Sequence, residues 1–293
     1  MSVSVRRAYL LMHLAILLWG FTGILGKAIQ MHESLIVWYR MFISALGLIP
    51  FIWKFRNDLP NRRELMYISL VGCIVALHWI MFYGSIKASS VSLALSCFSS
   101  VSLFTAVLDP LMKGKMPKAA ELLLGLSVIA GLALISRVQE MYVYGILLAL
   151  GSAFLGALFT LMNKSLTAKH HPEVITFYEL ASGFLILTAA LPFYLSAADV
   201  SFATPSATDW LYLVLLGIVC TSFAFTISLK ALKVLDPFTL NLSVNLEPVY
   251  SIVLAMLLFN EKDMLNPSFM LGTTIILGSV ALHSWIKWRR ARS

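Results

Sequence analysis

The chain has 293 residues, 59% of them hydrophobic and only 12% charged, and its mean hydropathy is +0.86. Soluble domains carry about 25% charged residues, so a water-facing surface cannot be assembled from this composition: a cytosolic enzyme, a disordered chain and a nucleic-acid-binding domain are excluded, and a polytopic membrane protein remains. The 22 Lys and Arg against 14 Asp and Glu leave a net charge of +8, an excess that belongs in the cytoplasmic loops of a bilayer protein rather than on a nucleic-acid partner.

A membrane-spanning helix needs about 20 apolar residues. Ten such stretches are predicted in chain order, at 8–29, 34–54, 64–85, 91–112, 119–136, 142–163, 173–195, 209–230, 238–259 and 267–287. The predicted fold class is therefore all-α integral membrane with ten transmembrane helices. The first stretch follows Arg6-Arg7 and lacks a small-residue cleavage site, so it reads as a retained helix rather than a secretion signal. The connections are short and carry turn and charge signals, as in Lys54 to Arg63, Lys113-Gly114-Lys115 and Lys169-His170-His171-Pro172. The longest polar stretch runs from Ser196 to Asp209. Cys73, Cys97 and Cys220 all fall inside apolar stretches without metal-like spacing and read as small buried hydrophobes.

With an N-terminus inside and ten spans, seventeen Lys and Arg fall on the cytoplasmic side, four fall outside (Lys27, Lys87, Arg137 and Lys262), and Arg40 lies within a span. That asymmetry predicts a multi-pass protein of the cytoplasmic (inner) membrane with both termini cytoplasmic.

The two halves resemble each other. Gly125 and Gly131 in the fifth stretch match Gly272 and Gly278 in the tenth, with Ser127 and Thr274 four residues before the second glycine of each pair. Small residues at this spacing let membrane helices approach closely. Trp38-Tyr39-Arg40 matches Phe177-Tyr178-Glu179, and Ser85-Ile86-Lys87-Ala88 matches Ser228-Leu229-Lys230-Ala231. A repeat of five spans is odd-numbered, so its second copy must be inverted. The expected organisation is two inverted five-helix repeats, 1–138 and 139–293. In transporters built this way the substrate site lies near the midplane, where the halves meet.

Leu18-Trp19-Gly20 followed by Lys27, then Arg40, Ala231-Leu232-Lys233, Asn245-Leu246-Glu247-Pro248-Val249 and Asn260-Glu261-Lys262 resemble the drug/metabolite transporter superfamily, specifically the ten-helix EamA-type permeases. The sequence departs from that pattern at Gly114-Lys115 and at Asn260, where the family usually has Gly-Glu, and at Glu179, where the first repeat has Arg40. The resemblance implies transport of a small metabolite and leaves the substrate open among amino acids, drugs, nucleotide-linked sugars and other solutes.

Ionisable residues inside a membrane are functional candidates, because a charge in hydrocarbon is costly. Glu247 lies nine residues into the ninth stretch, about 13 Å deep, and Pro248 after it is expected to disturb the helix. Asn241 is expected on the side that Glu247 faces. Arg40 lies about 9 Å from the outer edge; a shared site with Glu247 and a snorkelling interfacial role are both open. His78 sits at a similar depth, as a substrate or proton carrier or as a packed hydrogen-bonder. Trp19 and Tyr83 are candidates for the cavity wall or for packing. Glu179, entering from the other side, is expected at the inner mouth or at the interface. Ser92, Ser96 and Ser99 share one face of the fourth stretch, which suits an aqueous route or close packing.

No G-x-x-x-x-G-K-[ST] loop is present, so ATP is not used in that way. The histidines do not supply H-E-x-x-H, and neither a catalytic constellation, a metal nor a cofactor is expected. The leading reading is a secondary transporter that exports a small solute of the amino-acid type by alternating access, with protons as the coupling partner and Glu247 as its carrier. A channel or facilitator is the alternative, and a membrane-embedded enzyme comes after it. The expected partners are a small-molecule substrate and the lipid bilayer, with no nucleic acid; the oligomeric state is left open.

Overall fold

The computed structural model describes residues 4–56, 59–136, 142–251 and 267–290, and every regular element among them is a helix. In chain order these are α1 (Val5–Ala28), α2 (Glu33–Lys54), α3 (Arg62–Ala88), α4 (Val91–Phe98), α5 (Val101–Met112), α6 (Ala119–Ser136), α7 (Val143–Leu166), α8 (Pro172–Ala197), α9 (Ala207–Leu232), α10 (Pro237–Val244) and α11 (Pro267–Arg290). Helical backbone also resumes at residues 247–251. Among the described residues six helices are long and apolar enough to cross a bilayer: α1, α2, α3, α7, α8 and α9. Val101–Met112, Ala119–Gly131 and Met270–His283 are shorter apolar helices.

Local chemistry sets the helix ends. Asn61 and Glu64 form a capping box at the start of α3, and Ser206 and Asp209 form another at the start of α9, each satisfying backbone N–H groups the first turn would leave unpaired. Asp236 caps α10 through the Thr239 N–H at 3.0 Å, and Pro237 occupies the first turn, where its missing N–H costs nothing. Past α5 the chain reverses through Gly114 at φ +66°, a left-handed conformation that glycine adopts without strain.

Two predicted spans are broken. The fourth divides at Ser99-Ser100, where the Ser100 and Ser102 hydroxyls donate to the carbonyls of Cys97 and Ser99. The ninth divides at Asn245-Leu246, where the amides fall back to i−3 carbonyls at 3.3 and 2.9 Å. Pro248 accounts for this second break, because its ring crowds the carbonyl four residues earlier and disfavours helical backbone before it. Residues 252–259, the remainder of that predicted span, lie outside the described residues.

Packing is carried by α2 on α8, α3 on α7 and α8, α6 on α11, and α1 on the second half of α9. The helix pair carrying the matched glycines does meet. A methyl group added at Gly131 would stand 2.9 Å from the Gly272 carbonyl oxygen, and the Ser127 and Ser279 hydroxyls bond at 2.8 Å. Gly278, by contrast, faces open space.

The surface carries large apolar side chains such as Leu10, Leu70, Leu147 and Leu185, while Arg40, Glu179, Glu247, His78, Asn163 and Asn241 are buried. Polar groups inside and apolar groups outside is the arrangement a lipid solvent selects. Of the three cysteines, Cys220 is buried, while Cys73 and Cys97 are partly exposed, and all three are free.

Candidate functional site

A cavity lies between α1, α2, α3, α7, α9 and α10. Together with the open solvent at its mouth it holds about 760 Å³ of empty space. Trp19, Arg40, His78, Asn241 and Glu247, five of the residues singled out in the sequence, border it. The rest of the wall includes five aromatic rings, Trp79, Phe82, Phe98, Phe159 and Phe225, among aliphatic and small polar side chains. The lining runs from Trp19, Arg40 and Glu247 past Asn163 and Asn241 to Leu232, the last residue of α9, and to Leu240 in α10. At the other end of the bundle Trp38, Tyr39, Phe42, Phe184, Phe202 and Trp210 pack as a ring cluster.

Arg40 is 3% exposed and held on three sides. Its Nε donates to Thr221 Oγ1 at 2.7 Å, its Nη1 donates to the Tyr83 hydroxyl at 2.8 Å, and its guanidinium carbon lies 3.8 Å from the Trp79 ring centroid. Such a set replaces the lost hydration of a planar cation. Tyr83 therefore stands behind Arg40, fully buried, and does not border the cavity.

The Thr221 contact depends on a local change of helix type. Residues Leu215–Phe223 of α9 form a π-helix. Its looser winding is matched by hydroxyls: Thr221 donates to the Leu216 carbonyl at 2.7 Å, and Ser222 and Ser44 donate to the Gly217 carbonyl at 3.0 and 2.8 Å. Single π turns inside α-helices often coincide with functional positions.

Glu247 is 5% exposed, with Thr22 beside its carboxyl. Arg40 and Glu247 border one cavity, and no ion pair joins them among the described residues. Asn241 and Glu247 are six residues apart, and an unbroken helix would turn them about 120° from each other. The break at Asn245-Leu246 brings both to the cavity. Two hydrogen bonds tie this broken helix to the other one: Asn241 Nδ2 donates to Thr105 Oγ1 at 2.7 Å, and Asn245 Nδ2 donates to Ser102 Oγ at 3.0 Å.

His78 meets the Ser152 carbonyl through Nδ1 at 2.8 Å. A carbonyl only accepts, so Nδ1 carries the proton and Nε2 is left as an acceptor. Glu179 is not at the inner mouth: it is fully buried on α8, which packs on α2, α3 and the second half of α9, and it does not border the cavity. Gly72 of α3 is the reason, since without a side chain it lets the two backbones close over this position. The side chains of Ser92 and Ser96 lie outside the described residues, as does Asn260-Glu261-Lys262. Ser99 is buried at the break in the fourth span.

Thr22, Trp79, Asn163 and Thr221 carried no mark in the sequence. Hydroxyl and aromatic residues are too common in membrane helices to stand out. Asn163 fell at the edge of a predicted span, where an amide reads as a loop neighbour.

The EamA-like transporter family model matches the chain twice, at residues 6–137 and 143–285. The chain is 27% identical to "Uncharacterized inner membrane transporter YicL" of Salmonella typhimurium, over 99% of each protein. It is 24% identical to an "Uncharacterized transporter" of Archaeoglobus fulgidus, over 87% of this chain and 90% of that one. It is 22% identical to "Uncharacterized transporter YxxF" of Bacillus subtilis, over 94% and 88%. A solved crystal structure shares the fold at a TM-score of 0.78 and 19% identity, covering 99% of this chain and all of its own. The family match, the transporter relatives and an apolar helical bundle with a charged interior lead to one assignment: the chain is a membrane transporter and belongs to the EamA-like transporter family.

Proposed function

We propose that this transporter exports a small zwitterionic solute of the amino-acid class across the cytoplasmic membrane, by alternating access and at the expense of the proton gradient. The observation that carries the reading is the pairing of Arg40 and Glu247 on one aromatic-walled cavity without an ion pair between them. A guanidinium suits a carboxylate, a carboxylate suits an ammonium, and Trp19, Trp79 and Phe225 suit an apolar side chain. Glu247 is the residue of the cavity assigned to proton coupling.

Two five-helix repeats, 1–138 and 139–293, in inverted orientation and ten spans in all, are the organisation proposed for this movement. The packing supports it. The second helix of the first half pairs with its counterpart, α2 on α8; the glycine helices pair as α6 on α11; and α1 on α9 is mirrored by α3 on α7. Interruptions at Ser99-Ser100 and Asn245-Leu246 sit at corresponding positions of the halves, as in transporters whose broken helices bound the substrate site. Both termini are assigned to the cytoplasm by the Lys and Arg asymmetry, so the Leu232 and Leu240 end of the cavity is the cytoplasmic end.

The test is uptake of labelled L-phenylalanine and L-threonine into proteoliposomes, with and without an imposed pH gradient. Saturable, gradient-dependent uptake that becomes gradient-insensitive in Glu247→Gln is expected. Wild-type uptake indifferent to the gradient removes proton coupling, and flux that does not saturate returns the channel reading.

A further inference from the structure

Asn163 is 0% exposed, and neither its amide nitrogen nor its amide oxygen has a hydrogen-bond partner. Burying both without compensation is costly. Two features flank it. On one side is the cavity, whose wall Asn163 helps to form. On the other is Glu179, also 0% exposed, with both carboxyl oxygens unbonded. Among the described residues Asn163 is the polar side chain that stands beside this carboxyl, outside ordinary hydrogen-bond geometry in this state of the molecule.

The elements around Glu179 offer it no counter-charge. On α2, Arg40 is engaged by Thr221, Tyr83 and Trp79. On α3, His78 is bonded to Ser152 of α7. On α9, Lys230 is paired with Glu173 at 2.6 Å, two turns earlier on α8. Among the described residues Glu179 is a carboxyl in the bundle interior whose charge is answered by an amide alone.

We propose that Glu179 is a proton-binding site outside the cavity, and that the Asn163 amide reports its state to the cavity. The chemistry follows from the two ends of an amide. An ionised Glu179 only accepts, so it takes a hydrogen bond from Asn163 Nδ2 and turns Oδ1 towards the cavity. A protonated Glu179 donates its O–H to Asn163 Oδ1, and Nδ2 turns towards the cavity instead. The proton is exchanged with water as the bundle opens around Glu179; the O–H bond of the acid is the bond made and broken. The cavity wall thus changes from acceptor to donor when one proton binds, which favours a ligand carboxylate in the protonated state and a ligand ammonium in the ionised one. This consequence for transport rests on the transporter reading, whereas proton binding at Glu179 does not.

The test uses the full chain in vesicles of phosphatidylethanolamine and phosphatidylglycerol. Infrared difference spectra, recorded from mildly acidic to mildly alkaline pH without any solute, follow the C=O stretch of buried carboxylic acids. The expected result is a pH-dependent band that disappears in Glu179→Gln, moves in Glu179→Asp, shifts in Asn163→Ala and is untouched in Glu121→Gln. A Glu179→Gln spectrum identical to wild type overturns the site. A band lost in Glu179→Gln but unshifted in Asn163→Ala overturns the amide relay. Where Glu179→Gln yields no monodisperse protein, Glu179→Asp decides: a moved band supports the site and an unmoved one overturns it. In a second arm, the KM for L-phenylalanine is expected to vary with pH in wild type and to vary less steeply in Glu179→Gln and Asn163→Ala, the dependence that remains belonging to Glu247; a dependence as steep as wild type in both variants overturns the relay. Wild-type vesicles that take up no phenylalanine count against the proposed substrate class and leave the infrared result standing.

Discussion

Arg40 and Glu179 stand at matching places in the two halves of the sequence, and the molecule treats them in opposite ways. Arg40 has two hydrogen bonds, an indole face against its guanidinium, and a border on the cavity. Glu179 is more deeply buried and has none of these, with an unbonded carboxyl and one amide beside it. The difference follows from chemistry. Arginine cannot shed its charge in a protein, so a buried arginine requires permanent partners. A carboxyl becomes neutral by taking a proton, so it is sustained in a site that gives it little.

The sharpest way to break this comparison is Arg40→Leu. It removes the charge and leaves the Tyr83 hydroxyl without its partner, while Thr221 keeps its bond to the Leu216 carbonyl. Leaving a buried hydroxyl without its partner costs about 1–3 kcal/mol, and the space vacated by the guanidinium beside Trp79 adds to it. We expect Arg40→Leu to lower the thermal unfolding midpoint in detergent markedly and to abolish saturable uptake. An unchanged midpoint together with normal uptake would show that the cation is neither structural nor in the pathway.

Much of the fold is legible in the sequence for one physical reason: lipid imposes a minimum length and an apolar composition on each span, and Lys and Arg mark the loops. The glycines at matched spacing pointed to close helix approach without naming the partner: Gly131 meets the Gly272 carbonyl across α6 and α11, whereas Gly125 packs on Leu103 of α5 and Gly278 faces open space. The helix breaks were only half visible. Pro248 announces the one at Asn245-Leu246, but the one at Ser99-Ser100 depends on hydroxyl bonds to carbonyls, and serine makes these in intact helices as well. Within the site, Arg40, His78 and Glu247 were marked because intramembrane charge is rare. Asn163 and Thr221 were not, since their importance comes from what other helices fail to supply, or do supply, around them. Glu179 was marked by its charge and misplaced by its depth: distance along a helix says how far a residue lies from the membrane edge, not whether a glycine on a neighbouring helix closes over it.

A smaller perturbation acts on that closure. Gly72→Ala places a methyl against the Glu179 carbonyl oxygen and 2.6 Å from Ser182 Oγ. The obstructing atom is backbone, so α3 and α8 must part. Overpacking of this kind costs about 1–3 kcal/mol. The expected result is a lower unfolding midpoint for Gly72→Ala with uptake retained at reduced rate. A midpoint equal to wild type would mean that the α3–α8 contact is looser than the backbone approach implies, and that packing does not isolate Glu179.

The mildest test sits on the Arg40 side. Tyr83→Phe keeps the ring, its packing under Gly26 and its edge-on contact with Phe82, and deletes only the hydroxyl that accepts from Nη1. A hydrogen bond to a charged group contributes about 1.5–3 kcal/mol, and the remaining Thr221 and Trp79 contacts place this loss at the lower end. Because Tyr83 does not border the cavity, its effect must pass through the aim of the guanidinium. The prediction is therefore a modest drop in unfolding midpoint with a several-fold rise in the KM for the transported solute and little change in maximal rate. A fall in maximal rate at constant KM would instead mean that the hydroxyl serves the conformational change, and the contrast between a fixed Arg40 and an unbonded Glu179 would have to be redrawn with Tyr83 on the moving side.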